Sequence, residues 1–76
     1  MCKEHLIAKN TIRRFVSSKK TFTYNQVQRK IIKNGGILRV SIGFTVSDYL
    51  DKLEERGIVE YIPKKDSYVA RKEIAA

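Results

Sequence analysis

Apolar side chains recur every three or four residues in the first part of the chain, which is the spacing of one buried helix face. The stripe runs through residues 4–17 and predicts a helix there. His5 falls on the same stripe, where a lone histidine is more often a packing residue than a ligand or a catalyst. The members of the stripe are Ala8, Ile12, Phe15 and Val16. After this helix, residues 21–23 combine threonine with phenylalanine, a composition that favours a short strand.

A second helix is predicted to follow Thr23. A threonine N-cap with Gln26 three residues later forms a capping box, and Phe22 before the cap can pack on Val27 as a hydrophobic staple. The glycine pair 35–36 ends the helix, because glycine readily adopts the left-handed conformation that closes a helix. Its outward face is polar and basic.

The third helix is the segment TVSDYLDKLEERG, in which Val46, Leu50 and Leu53 share one face. Gly57 ends it. Its start has two readings: either Ser41 is the N-cap, or Thr45 is the N-cap and Asp48 completes a capping box. The two readings differ by about one helical turn and place different side chains at the tip of the helix.

After the third helix, two β-rich stretches, IVEYIP and SYVARK, are joined by the polar link KKDS. A link of this length predicts a two-stranded hairpin. Pro63 stands at the end of the first stretch, where its missing N–H is tolerated. Residues 73–76 are predicted to be a frayed tail.

Length and composition predict one small domain that occupies residues 1–76, with a core over about residues 5–72. The chain has 76 residues, 42% of them hydrophobic. No apolar run approaches the roughly 20 residues that span a bilayer, and no signal peptide is recognisable, so we expect a cytoplasmic protein. The chain has a single cysteine, Cys2, and a single histidine, so we expect no internal disulfide and no bound metal. We also expect no cofactor. Enzymatic catalysis is not expected, because no nucleophile lies beside a base and no glycine-rich phosphate loop precedes a helix.

Positive charge is concentrated in the first half of the chain. The formal net charge is +8, and residues 1–40 contain ten basic side chains against Glu4 alone. Residues 41–76 contain six basic and seven acidic side chains. A basic excess of this size attracts polyanions, among which nucleic acid is the commonest.

The predicted order is helix, short strand, helix, helix, hairpin, and it resembles the winged helix-turn-helix family, in particular small archaeal and archaeal-virus transcription regulators. The resemblance covers about residues 5–72, and its most specific part is SIGFTVSDYLDKLEERGIVEYI. It implies an α+β fold of three helices with a short strand and a C-terminal two-stranded hairpin, the wing. It also implies that the third helix enters the major groove of DNA by its N-terminal residues, while the second helix and the wing contact the backbone.

The resemblance assigns roles to particular side chains. Arginine can read guanine through two hydrogen bonds, serine and threonine can bond either base type, and lysine suits phosphate. Asp48, Asp51 and Glu55 oppose the assignment, because carboxylates on the outward face of the third helix are repelled by phosphate. The base-reading candidates are Arg39, Ser41, Thr45 and Ser47. The phosphate-binding candidates are Gln26, Arg29, Lys30, Lys33, Lys64 and Lys65.

The resulting hypothesis is sequence-specific binding of double-stranded DNA by a transcription regulator. The alternative is a docking module of the same fold that binds RNA or a protein partner, such as transcription or ribosomal machinery, without reading bases. Leu6 and Ile7 lie off the apolar stripe, so either the first helix begins later or they form a second apolar edge. If they form an edge, they and the tail near Ile74 are candidate contacts of a homodimer.

Overall fold

The computed structural model describes residues 3–18 and 21–72 of the chain. Within these residues the fold is a small α+β domain with three helices and two antiparallel sheets. Cys2, Ile74 and the predicted frayed tail 73–76 lie outside the described residues. The helices are α1, Lys3–Ser17; α2, Tyr24–Lys33; and α3, Val46–Glu55. The strands are β1, Thr21–Phe22; β2, Arg39–Ser41; β3, Phe44–Thr45; β4, Val59–Ile62; and β5, Ser67–Ala70.

The predicted short strand and the predicted C-terminal hairpin form one sheet, in the order β1-β5-β4. Both pairings are antiparallel, and Phe22 of β1 lies opposite Tyr68 of β5. Val59 of β4 pairs with Ala70, at the end of the hairpin nearest α3. The sheet therefore ties the segment between α1 and α2 to the hairpin that follows α3.

A second sheet was not predicted: β2 and β3 form a small antiparallel hairpin between α2 and α3. Arg39 pairs with Thr45, and Ser41 pairs with Phe44, with a register shift between the two pairs. Gly43 closes the turn at φ +73°, a conformation that a side chain disfavours. The residue before it, Ile42, is 93% exposed at the tip.

Thr45 is the N-cap of α3, and the capping box is complete. The Thr45 hydroxyl accepts a hydrogen bond from the Asp48 amide, and the Asp48 carboxylate accepts one from the Thr45 amide, both at 3.1 Å. The alternative start at Ser41 is wrong, because Ser41 lies in β2. The capping box predicted for α2 is confirmed, with Thr23 and Gln26 bonded in the same reciprocal way.

The core lies where the inner faces of the three helices meet the sheet, and the predicted stripes supply most of it. His5 is buried at 8% exposure, which confirms its placement on the inner face of α1. The end of α2 approaches α1 closely at Gly36, where an added Cβ would lie 2.9 Å from Ile7 Cγ2. The buried apolar side chains are Ala8, Ile12, Val16, Phe22, Val27, Ile31, Val40, Val46, Leu50, Leu53 and Val59.

Candidate nucleic-acid interface

The outward face of α2 is basic. Because Val27 and Ile31 are buried, the helix turns Arg29, Lys30 and Lys33 to the surface, and all three are exposed. No carboxylate of a described residue forms a salt bridge with these three side chains. The charge of this face is therefore available to an external anion such as a phosphate.

Gln26, the fourth phosphate-binding candidate on α2, also stabilises the start of the helix. Its Oε1 accepts a hydrogen bond from the Thr23 amide at 2.9 Å. This bond occupies the side-chain oxygen, while the Nε2 protons are the donors that a phosphate needs. Gln26 is exposed, so both tasks are compatible with its position in the first turn of the helix.

Two adjoining depressions lie between α1 and α2, and sequence reasoning missed them as a site. One has a volume of about 190 Å³ and the other about 390 Å³. Phe15 and Lys30 line both, so the two depressions adjoin at these side chains. Phe15 was predicted only as a core residue, and the one signal for Arg14 was its place in the basic half of the chain. The smaller depression is lined by Thr11, Arg14, Phe15, Ser18, Lys30 and Asn34, and the larger one by Phe15, Thr21, Gln26, Arg29, Lys30 and Lys33.

The four base-reading candidates are exposed, but only one of them lies on α3. Arg39, Ser41 and Thr45 belong to the β2–β3 hairpin, and Ser47 lies in the first turn of α3. The strand pairing brings Arg39 opposite Thr45. The candidates expected together at the tip of the third helix are thus divided between a hairpin and the helix turn that follows it.

The side of α3 near the β4–β5 hairpin is acidic. Burial raises the pKa of the Tyr68 phenol above its ordinary value of 10.0, and the charges of Asp51 and Glu54 raise it further. Both carboxylates therefore lie near β5. Asp48 is occupied by the capping box. Sequence reasoning noted Asp51 but not Glu54, although the two lie three residues apart and so on neighbouring positions of the helix surface.

Lys64 and Lys65 lie in the turn that joins β4 to β5, at residues 63–66, and both are exposed as predicted. The Tyr61 hydroxyl donates a hydrogen bond to the Asp66 carboxylate, and this bond is the main reason that the pKa of Tyr61 is raised. Ser67 Oγ donates to the Lys65 carbonyl at 2.8 Å. These bonds hold the turn, so the two lysines project from a fixed hairpin tip.

A metal cluster and a membrane-spanning helix were both sought in the part of the chain that the structure describes. Among those residues, no group of three histidine, cysteine or acidic side chains is placed to hold a metal ion. None of the described helices has the length and apolar character needed to cross a membrane.

Comparison of the chain with protein-family models, with curated proteins and with solved structures yields no match.

Proposed function

We propose that the chain is a winged-helix domain that binds double-stranded DNA sequence-specifically and acts as a transcription regulator. The observation that carries the proposal is the strand order β1-β5-β4 with α3 leading directly into β4. The passage of the chain from α3 into β4 is the connection that the resemblance implies, with the β4–β5 hairpin as the wing. Exposed cations then stand on the helix before α3 and on the tip of the hairpin after it.

In this proposal, affinity comes from phosphate contacts on two elements. Arg29, Lys30 and Lys33 of α2, helped by the Gln26 amide, hold one stretch of backbone, and the tip of the wing holds another. Such contacts fix the orientation of the protein on the duplex but carry no sequence information. They also make binding depend steeply on salt, because each neutralised phosphate releases counterions.

Base reading falls to Ser47 and to the β2–β3 hairpin. Arg39 is the side chain best suited to guanine, through two parallel hydrogen bonds to O6 and N7. Ser41 and Ser47 have hydroxyls that can donate or accept. The Thr45 hydroxyl accepts one hydrogen bond from the Asp48 amide, which leaves its proton and a second lone pair for a base.

The carboxylates restrict how α3 can approach DNA. Asp51 and Glu54 are exposed, and their charges act on Tyr68 of the hairpin, so a helix that lay along the groove for its whole length would bring both toward phosphates. Entry by the first turn alone keeps the later carboxylates away from the backbone. The capping box engages Asp48 within the protein, which removes part of the repulsion expected there.

A homodimer belongs to the same proposal, because most regulators of this size place two copies on half-sites about one helical turn apart. Leu6 is 44% exposed and available for a subunit contact. Ile7 is partly buried against the end of α2, near Gly36. The contact therefore depends on Leu6 more than on Ile7.

The second candidate function is a docking module of the same fold that binds RNA or a protein without reading bases. The proximity of Asp51 and Glu54 to Tyr68 favours it, since an acidic face next to the hairpin suits a basic partner better than a phosphate backbone. The basic face of α2 would then serve RNA or an acidic surface.

The deciding experiment begins with selection of a preferred duplex from a random pool. The ratio of affinities for the selected and a scrambled duplex is then measured for Arg39→Ala and Ser47→Ala. A lost base contact lowers the ratio about 5- to 150-fold, since it costs about 1 to 3 kcal/mol. Lys52→Ala, an exposed change later on α3, is the matched control and leaves the ratio unchanged. If both test variants keep the ratio while Arg29→Ala and Lys33→Ala abolish binding, base reading is wrong and the docking module is favoured.

The wing has its own test. Changing Lys64 and Lys65 together to alanine should weaken binding to every duplex alike and lower the slope of log affinity against log salt by about 2, because each phosphate contact contributes about 0.9. The measurement is a salt titration with selected and scrambled duplexes. An unchanged slope places the backbone contacts elsewhere on the protein.

A further inference from the structure

We infer that the two depressions between α1 and α2 bind a single-stranded segment of nucleic acid, with a base stacked on Phe15 and the adjoining phosphates on Arg14 and Lys30. This site lies outside the surfaces assigned above to base reading and to the wing. It shares the cations of α2 with the proposed duplex contacts, but Phe15 and Arg14 belong to it alone.

The lining of the depressions has one sign of charge. Among the described residues, four cations border them, and none of the residues that line either depression carries a carboxylate. Arg14, like the cations of α2, forms no salt bridge with a described carboxylate. A concave surface with charges of one sign concentrates the opposite charge, here a chain of phosphates. The four cations are Arg14, Arg29, Lys30 and Lys33.

Phe15 supplies an aromatic surface in the middle of these charges. Its side chain is partly exposed, and it lines both depressions. On its protein side the ring packs on Phe22, with centroids 5.3 Å apart, and Phe22 in turn stacks on Tyr68 at 5.7 Å. Phe22 is buried, so Phe15 is supported from behind. A ring held in this way meets a base without a large loss of side-chain freedom.

The combination of a basic groove and an aromatic ring selects an unpaired strand over a duplex. In a duplex, the faces of the bases are stacked on one another, so an aromatic ring on a protein surface cannot stack on them. In a single strand the faces are accessible, and a basic groove with an aromatic platform is the usual way in which proteins hold such strands. An acidic peptide could use the cations but would leave the aromatic surface without a partner.

The experiment compares three labelled probes by fluorescence anisotropy: an oligothymidine of about 8 nucleotides, within the range of common site sizes, an abasic strand of the same length, and a blunt duplex. Phe15→Leu keeps an apolar side chain over Phe22 but loses the stacking plane. It should weaken oligothymidine binding about fivefold or more and leave duplex binding unchanged. The unaltered protein should bind the abasic strand about as weakly as the variant binds oligothymidine.

A second variant reports stacking directly. The chain contains no tryptophan, so Phe15→Trp introduces one emitting indole at the site. Its emission should be quenched when oligothymidine saturates the protein and not when the abasic strand does. Arg14→Ala should weaken oligothymidine binding, whereas Arg56→Ala, an exposed arginine at the end of α3, is the matched control and should not.

The inference is overturned if Phe15→Leu binds oligothymidine as tightly as the unaltered protein, or if the indole is not quenched. It is also overturned if a glutamate-rich peptide of equal length binds as tightly as oligothymidine, which would make the surface a site for acidic proteins. Failure of the proposed function looks different: the duplex is then not bound sequence-specifically, while the dependence on Phe15 persists. Circular dichroism of each variant checks that the helices are intact.

Discussion

Helices α2 and α3 are built from the same local signals and present opposite surfaces. Each has ten residues and begins with a threonine capping box, and the C-cap residue after each is followed by a glycine with positive φ. The outward side chains of α2 are basic, whereas those of α3 include four carboxylates. The signals that start and stop a helix occupy its ends, and the buried stripe occupies one face. The remaining positions are free to vary in charge, and that is where the two helices differ. The carboxylates of α3 are Asp48, Asp51, Glu54 and Glu55.

The C-terminal ends of α2 and α3 are closed by the same kind of hydrogen bond. The Gly36 amide donates to the Ile31 carbonyl at 2.9 Å, and the Ile58 amide donates to the Leu53 carbonyl at the same distance. Both bonds belong to the Schellman arrangement, which satisfies carbonyls that have no partner within the helix. The two ends differ in that α2 is followed by a second glycine, Gly36, where α3 is followed by Ile58. That glycine is required by tertiary packing, because Ile7 of α1 comes close to it.

Reversing the charge of α2 should have the largest effect on function. Arg29→Glu combined with Lys33→Glu should weaken binding of any nucleic acid about 100-fold or more, since each hydrogen bond to a charged group contributes about 1.5 to 3 kcal/mol. The affinity is measured by anisotropy at fixed salt. Asp51→Asn with Glu54→Gln is the counterpart on α3 and should strengthen duplex binding if that face approaches the backbone. An unchanged affinity for the second variant would mean that α3 stays away from phosphate.

Gly36→Ala should have the largest effect on stability. The added Cβ would lie 2.9 Å from Ile7 Cγ2 and 3.0 Å from Ile31 Cγ2, and overpacking of this kind costs about 1 to 3 kcal/mol. Gly35→Ala is the matched control: it meets no atom within 4 Å and loses only its favourable φ of +84°. Urea unfolding should show that Ile7→Ala relieves part of the Gly36→Ala cost and none of the Gly35→Ala cost. Equal relief for both would remove the packing explanation.

The two N-caps should contribute about equally. Thr23→Ala and Thr45→Ala each lose a side-chain acceptor for a helix amide, which costs about 1 kcal/mol, whereas serine at either position should restore most of it. Thermal unfolding of the four variants measures this. A clearly larger cost for Thr45→Ala would show that its pairing with Arg39 in the β2–β3 hairpin also contributes to stability.

The smallest expected effect is at alkaline pH and concerns the acidic side of α3. Burial, aided by Asp51 and Glu54, raises the pKa of Tyr68 above 10.0 in the folded protein. The unfolded chain then ionises first, so this contribution to stability is complete below pH 10 and is lost as the pH rises through the raised pKa. Urea unfolding below and above pH 10 measures this. The free energy of unfolding should fall less between the two conditions in Tyr68→Phe than in the unaltered protein. Identical profiles would contradict this.

Short-range signals account for what the sequence predicted correctly. The three helices, both capping boxes and the C-terminal hairpin follow from residues within a turn or two of each other. The β2–β3 hairpin was missed because strands of three and two residues are too short to show an alternating pattern. The start of α3 depended on the same segment, which is why Ser41 and Thr45 competed as caps. The Phe15 depressions were missed because they require α1 and α2 to lie side by side, which no local pattern specifies.

The pairing of β1 with β5 has a consequence for the order in which the chain folds. It joins Thr21 to Val69 and Phe22 to Tyr68, residues that are separated by most of the chain. Closing so long a loop has an entropic cost that nothing repays until the intervening helices have packed. We therefore expect the two residues of β1 to join the sheet late, after the hairpin that receives them. During synthesis, α1 and α2 emerge before β5 exists, so we expect Phe22 to gain its contact with Tyr68 only after β5 has left the ribosome.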